Sequence, residues 1–174
     1  GKFIANVINN AKVGAAITAL IERGGLILGI CNGFQALVKS GLLPYGKLGM
    51  VTPNSPTLFR NDISRHISQM VTTVVSTVNS PWLCGMQVGD THTIAVSHGE
   101  GKFVVNEELA KQLFENGQVA FRYANPVTGE ATMEAPYNPN GSYYAIEGII
   151  SQNGQILGKM GHTERFEEGV FTNI

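Results

Sequence analysis

The sequence has little of several features that define large protein classes. It has two cysteines in 174 residues, which is too few for a disulfide scaffold. Twelve lysines and arginines face 13 aspartates and glutamates, and neither sign forms a block. This balance argues against a nucleic-acid or membrane-surface partner. No apolar run approaches the roughly 20 residues needed to span a bilayer. With free thiols and no signal pattern, these features predict a cytoplasmic protein.

Signatures of metal and nucleotide sites are also missing. Neither cysteine has a partner at zinc-ligand spacing. No Gly-x-x-x-x-Gly-Lys-Ser/Thr loop is present. We therefore expect no metal and no cofactor in this chain, and its length predicts one domain over residues 1–174.

An apolar run leads directly into a Gly-x-Cys-x-Gly sequence. Residues 26–30 predict a strand buried on both faces, and residues 33–39 predict the helix that follows. This arrangement is the cysteine form of the nucleophile elbow, in which a strand turns sharply into a helix. A side chain at Gly29 or Gly33 is expected to collide with the neighbouring helix and strand.

Cys31 is the residue at the apex of this turn. The amino end of the following helix favours its thiolate, which is the reactive form, and the Asn32 N–H points to where an oxyanion would form. Short motifs also match by chance, so a buried structural cysteine in an ordinary turn is the alternative. Cys84 lacks an elbow and is expected to pack in the interior.

The remaining pattern predicts an α/β fold with a mostly parallel central sheet flanked by helices. One amphipathic helix is expected over 2–23, and Asn106 is expected to cap another over 107–115. Segments 45–60 and 98–101 read as loop or turn. The Asn-Gly pair at 153–154 predicts a hairpin. Strands are expected over 70–78, 91–97, 119–123, 146–151 and 155–159.

A cysteine nucleophile needs a base and a group that orients the base. His162 and Glu164 are two residues apart, so on an extended segment they face the same side. The alternative for this pair is a polar surface loop. His98 either lines a pocket or caps a turn, and His66 and His92 are expected to be surface or loop residues.

Taken together, these residues resemble a known family. Gly-Ile-Cys-Asn-Gly-Phe-Gln, at 29–35, resembles the nucleophile motif of class I glutamine amidotransferases. Val-Ser-His-Gly-Glu-Gly-Lys-Phe at 96–103 and Gly-Lys-Met-Gly-His-Thr-Glu-Arg at 158–165 resemble, more narrowly, the glutaminase portion of phosphoribosylformylglycinamidine synthases. In large-type enzymes this portion is the carboxy-terminal domain. The resemblance covers nearly the whole chain.

The resemblance implies a role for each matching residue. Cys31 is the nucleophile, His162 the general base and acid, and Glu164 the carboxylate that orients it. Substrate contacts are implied for the remaining matched residues, Asn32, Gln35 and His98.

The implied chemistry is hydrolysis of glutamine to glutamate through a cysteine thioester. The released ammonia would pass to a synthetase domain or subunit. There, with ATP and Mg, it would convert formylglycinamide ribonucleotide to its amidine in purine biosynthesis. A protease- or deglycase-like cysteine hydrolase and a non-catalytic regulatory module that keeps the elbow are the alternatives.

The chain departs from this family at its start. Family members begin with an extra strand and a glycine-rich loop that supplies the second oxyanion donor. The fold is therefore expected to lack its first strand and loop, as a fragment of a longer chain. Losing one such donor costs on the order of 10²–10³ in rate, so the isolated chain is expected to be a poor glutaminase.

Overall fold

The computed structural model describes residues 2–163, which form helices packed around a central sheet. The helices are α1 (Lys2–Ile8), α2 (Ala11–Glu22), α3 (Asn32–Ser40), α4 (Leu42–Tyr45) and α5 (Glu107–Glu115). The strands are β1 (Ile27–Ile30), β2 (Thr57–Arg60), β3 (Ile67–Val75), β4 (Thr91–His98), β5 (Glu100–Val104), β6 (Val119–Ala124), β7 (Ile146–Ile150) and β8 (Ile156–Lys159). In this part of the chain, no helix has the length and apolar character to cross a membrane.

The central sheet has six strands in the order β1-β8-β7-β6-β3-β4, and β2 and β5 form a separate antiparallel pair. The α/β class with flanking helices is confirmed. The expected mostly parallel sheet is corrected to a mixed one, because β1 and β8 are parallel and the other four pairs are antiparallel. Parallel neighbours need a crossover of a dozen or more residues. The short Asn153-Gly154 turn between β7 and β8 allows only a hairpin, as the sequence predicts.

The first helical segment is divided in two. Asn10 has an extended backbone, and its side-chain oxygen accepts a hydrogen bond from the Lys12 N–H at 3.1 Å. Asparagine is among the strongest N-cap residues, so it begins a new helix here. The continuous helix expected over 2–23 is therefore wrong. Its predicted end is confirmed, since Gly24 adopts a positive φ of 83° after the last turn.

β1 lies at one edge of the sheet and pairs with β8 alone among the described strands. Leu28 is 40% exposed, and Gly29 is the one residue of the strand that is buried. The prediction of a strand buried on both faces is therefore wrong. A short apolar run has the same sequence signature at a sheet edge and at the centre of a sheet.

Two strands lie in segments that the sequence assigns to loop or turn. β2 occupies the end of the predicted loop 45–60, and β5 begins inside the glycine-rich turn at Glu100. The pair is held at the core by Phe103, whose ring stacks on that of Phe34 from α3 at 6.2 Å between centroids. This contact fixes the helix after Cys31 against the segment that follows β4.

Candidate active site

Cys31 joins the end of β1 to the start of α3 in a strained turn. Its backbone has φ 53° and ψ −103°, a conformation that a residue with a side chain rarely adopts. The Cys31 N–H donates to the Lys159 carbonyl at 2.8 Å, and its own carbonyl accepts from the Gln35 N–H at 3.1 Å. The strand and the helix thus hold the cysteine from both sides, in the elbow geometry that the sequence predicts.

The two glycines of the motif differ in their surroundings. A Cβ on Gly29 would lie 2.8 Å from the carbonyl carbon of Gly33 and 2.4 Å from the Leu37 Cδ1 atom. The predicted collision at Gly29 is therefore confirmed. At Gly33 the prediction is wrong, because apart from its chain neighbours and the backbone of its own helix no described atom lies within 4 Å of an added Cβ. The crowding is one-sided, since Gly29 faces the helix backbone while the Cβ direction of Gly33 does not point back to β1.

Cys31 and His162 meet at the same stretch of β4, although 131 residues separate them in the sequence. The Cys31 Sγ atom lies 3.9 Å from the Ser97 carbonyl oxygen. The backbone N–H of His162 donates to the Ala95 carbonyl at 2.8 Å in an isolated β-bridge. A cleft of about 200 Å³ at this point is lined by Ser97, Ala95 and His162, together with Met70 from β3. The sequence-predicted nucleophile and base therefore contact carbonyls of β4 that lie two residues apart, and His162 is the one of the two that lines the cleft.

The other predicted site residues have different outcomes. Glu164 lies outside the described residues, so its pairing with His162 stays a prediction. Asn32 is exposed at the first position of α3, beside the cysteine. Cys84 is exposed, so its predicted packing in the interior is wrong. Within residues 2–163, no cluster of three or more His, Cys, Asp or Glu side chains could hold a metal ion.

Gln35 is buried and contacts the chain rather than the cleft. Its Nε2 donates to the Glu100 carbonyl at 2.6 Å, which ties α3 to residues 98–101. Residues 98–101, which we call the clamp loop, join the end of β4 to the start of β5, and each of their four carbonyls accepts a hydrogen bond. The Asn61 side chain donates to the His98 carbonyl, and its backbone N–H donates to the Gly99 carbonyl. The Asn140 side chain donates to the Gly101 carbonyl. The clamp loop is therefore fixed by side chains from three other segments.

His98 is 4% exposed at the start of the clamp loop. Its Nδ1 lies 3.2 Å from the Asn61 Oδ1 atom. The Asn61 Nδ2 donates to the carbonyls of both His98 and Arg65, at 2.8 and 2.9 Å, so the oxygen must face the imidazole. His98 therefore carries its proton on Nδ1 and donates it to Asn61. Its Nε2 is a buried acceptor without a hydrogen-bond partner among residues 2–163.

Burial, together with the nearby His66 and His162 imidazoles, lowers the pKa of His98 to about 4. His98 is therefore neutral at pH 7. His66 is exposed as predicted, but its Nε2 lies 3.0 Å from the Ser97 hydroxyl oxygen, which places it beside the cleft. Sequence reasoning missed this position, because the pairing of β3 with β4 is what brings it there.

The low pKa of His98 makes stability depend on pH. In the unfolded chain this imidazole binds a proton below about pH 6.5, whereas in the folded chain it does so only below about 4. The stabilisation is thus complete above pH 6.5 and falls by about 3 kcal/mol as the pH drops to 4. Urea unfolding at pH 7.5, 5.5 and 4.5 measures this loss. A His98→Gln variant should show a flatter profile, and equal slopes for the two proteins would contradict the assignment.

Comparison with known proteins supports the class of protein that this geometry indicates. The profile of the CobB/CobQ-like glutamine amidotransferase domain matches residues 1–174. The phosphoribosylformylglycinamidine synthase subunit PurQ of Gloeobacter violaceus is 37% identical over 155 residues, which cover 89% of this chain and 61% of that protein. The PurQ subunit of Acaryochloris marina is 41% identical over 150 residues, covering 86% and 58%.

A solved structure agrees with these matches. The structure of PurLQS from Thermotoga maritima superposes with a TM-score of 0.66 at 26% identity, over 91% of this chain and 59% of that one. The chain spans less than two thirds of the length of the curated relatives it matches. The match over all 174 residues nevertheless shows the family. The chain belongs to the CobB/CobQ-like glutamine amidotransferase domain family.

Proposed function

We propose that this chain is the glutaminase part of a phosphoribosylformylglycinamidine synthase. It would hydrolyse glutamine and supply ammonia for the ATP-dependent conversion of formylglycinamide ribonucleotide to its amidine in purine biosynthesis. The family match, the PurQ relatives and the PurLQS structure support this assignment. They do not favour a protease-like hydrolase or a non-catalytic module.

The observation that carries the proposal is that Cys31 and His162 both contact β4, at the Ser97 and Ala95 carbonyls, two residues apart. In the proposed reaction the Cys31 thiolate attacks the side-chain amide carbon of glutamine. The electron pair of the carbonyl moves onto oxygen, where the N–H of Asn32 donates a hydrogen bond to the developing charge. The elbow places that N–H beside the sulfur, at the start of α3.

His162 moves the protons in both halves of this reaction. It takes the thiol proton and gives it to the leaving amide nitrogen, so that the carbon–nitrogen bond breaks and ammonia departs. It then takes a proton from water, which attacks the thioester and releases glutamate and the thiolate. Glu164 is proposed to accept a hydrogen bond from the imidazole and so fix its tautomer.

We propose that the clamp loop forms a wall on the substrate side of the site, and that Gln35 acts by holding this loop through the Glu100 carbonyl. With its carbonyls already bound, the loop would not need to reorganise when glutamine enters. His98 is proposed to contribute as a neutral group, since its pKa of about 4 keeps it uncharged at the pH of the reaction. A fixed wall of this kind lowers the entropic cost of orienting the amide.

The experiment that tests this function uses a glutamine-analogue electrophile, such as a diazoketone analogue of glutamine. We expect it to alkylate Cys31 and abolish glutamine-dependent synthesis, while free glutamine protects the thiol. Peptide mass spectrometry identifies the labelled residue, and the exposed Cys84 serves as the internal control. Equal labelling of the two cysteines, with no protection by glutamine, would refute the proposal.

The setting of the domain is part of the same proposal. We propose a synthetase domain or subunit as its partner, with ATP and Mg bound there and no cofactor in this domain. We place it at the carboxy terminus of a large-type enzyme in the cytoplasm, where both thiols stay reduced. The intact mass of the source protein tests this placement, since a mass typical of a separate small subunit would contradict it.

A further inference from the structure

Glu147 is a buried carboxylate in β7, on the far side of β8 from Cys31. It is 1% exposed, and burial of a carboxylate is costly unless its oxygens accept hydrogen bonds. One oxygen, Oε1, accepts from the backbone N–H groups of Met160 and Gly161, at 2.9 and 2.5 Å. The other, Oε2, has no hydrogen-bond partner within residues 2–163. The side chain therefore serves the two residues that directly precede His162.

These two N–H groups lie where the β7–β8 ladder ends. The last pair of that ladder joins Gly148 to Lys159, and the chain then leaves β7. The chain crosses to β4, where the backbone N–H of His162 donates to the Ala95 carbonyl. Residues 160 and 161 thus lie between two sheet partners, and the Glu147 carboxylate supplies the acceptor that a continued ladder would have supplied.

The crossing segment has little freedom to move. Met160 is fully buried, and a Cβ on Gly161 would lie 2.7 Å from the Ile94 Cδ1 atom of β4. Removing the acceptor would leave two buried N–H groups without it, and the segment would have to shift to reach water.

We propose that Glu147 is a positioning residue that sets the place of His162 beside Cys31 by holding the backbone of Met160 and Gly161. This inference rests on the proposed function, because it takes His162 as the base of the cysteine. It assigns Glu147 no contact with substrate. The shape and acceptor oxygen of the side chain carry the effect, and its charge does not.

Two variants separate position from charge. Glu147→Gln keeps a side-chain oxygen that accepts both N–H groups and removes the charge, whereas Glu147→Ala removes both. Gln118→Ala is the matched control. Its amide is 3% exposed and donates to the Pro44 and Ile150 carbonyls at the opposite end of β7, away from His162. All variants are made in the full-length protein with its synthetase portion.

The expected effect falls on turnover. A misplacement of about 1 Å can cost about 10² in rate, so Glu147→Ala should lower kcat for glutamine by about 10- to 100-fold with KM nearly unchanged. Glu147→Gln should stay within about threefold of the parent. Gln118→Ala should lower the unfolding midpoint without this loss of kcat.

A second readout does not depend on turnover. The rate at which iodoacetamide alkylates Cys31, followed against pH by peptide mass spectrometry, reports how strongly an imidazole favours its thiolate. Glu147→Ala should move the inflection toward the pKa of an ordinary thiol, about 8.5. Glu147→Gln and Gln118→Ala should leave it in place. The other titratable groups around Cys31 and Glu147 are unchanged in all three variants, namely His66, His98, Tyr123, Lys159 and His162.

Three results would overturn the inference. They are an unchanged inflection and kcat in Glu147→Ala, equal losses in the Gln and Ala variants, and equal losses in Glu147→Ala and Gln118→Ala. If Glu147→Ala does not fold, the Gln variant decides, because a loss of kcat or of slow amide exchange at residues 160 and 161 there contradicts the role. Failure of the proposed function looks different, since the parent itself would then show an ordinary thiol inflection and no glutaminase activity.

Discussion

Replacing Cys31 with serine is expected to lower the glutamine-dependent synthetic rate by at least about 10³-fold. The hydroxyl is a far weaker nucleophile than the thiolate, and the loss of a catalytic nucleophile removes the covalent route altogether. The elbow itself should remain, because serine fits the volume of cysteine and the backbone bonds to Lys159 and Gln35 do not involve the side chain. Synthesis from added ammonia should be unchanged.

The measurement is a pair of steady-state assays on the full enzyme, one with glutamine and one with ammonium. Cys84→Ser is the control, because this exposed thiol has no part in the proposed reaction and its variant should behave as the parent in both assays. If Cys31→Ser kept its glutamine-dependent rate, the cysteine would not be the nucleophile. If both rates fell together, the residue would serve the synthetase rather than the glutaminase.

The second large effect is expected for Gly29→Ala. Its added methyl would lie 2.8 Å and 2.9 Å from the carbonyl carbon and oxygen of Gly33, and backbone atoms in a turn joining a strand to a helix have little room to yield. Overpacking of this kind costs typically 1–3 kcal/mol, and here the strain falls on the elbow itself. We expect a loss of about 3 kcal/mol in the free energy of unfolding, with glutamine-dependent activity at least about tenfold lower.

Gly33→Ala is the matched control for this change. It adds the same methyl two residues after the cysteine, where no described atom outside the chain neighbours and the backbone of α3 lies within 4 Å. Alanine is preferred over glycine inside a helix by about 1 kcal/mol, so this variant should be as stable as the parent or slightly more stable. Urea denaturation measures both changes. Similar losses in the two variants would show that the collision at Gly29 is not the cause.

The parts of the fold that depend on neighbouring residues could be predicted from the sequence. Asn106 caps α5 through the Leu109 N–H at 2.8 Å, and the helix runs over the predicted residues. The elbow and the Asn153-Gly154 hairpin could also be predicted from the sequence. Each of these elements is determined by a turn or a cap whose residues are close together in the chain.

The parts that depend on distant residues could not be predicted. β2 has a single buried residue, Leu58, and it forms a strand because β5 lies beside it. The prediction of a mostly parallel sheet came from the order of helices and strands in the first 40 residues. It does not hold for the second half of the chain, which is built of hairpins. Asn61 and Glu147 bond mainly to backbone groups of distant segments, and no residue spacing in the sequence predicts such contacts.

Asn61 illustrates how narrowly a buried amide can constrain a position during evolution. Its side-chain oxygen accepts a hydrogen bond from one imidazole, and its side-chain nitrogen donates hydrogen bonds to two carbonyls. Aspartate offers no donor, serine is too short to reach all three groups, and leucine offers neither function. We therefore expect substitutions of this asparagine to be accepted only together with changes in the loops that surround it.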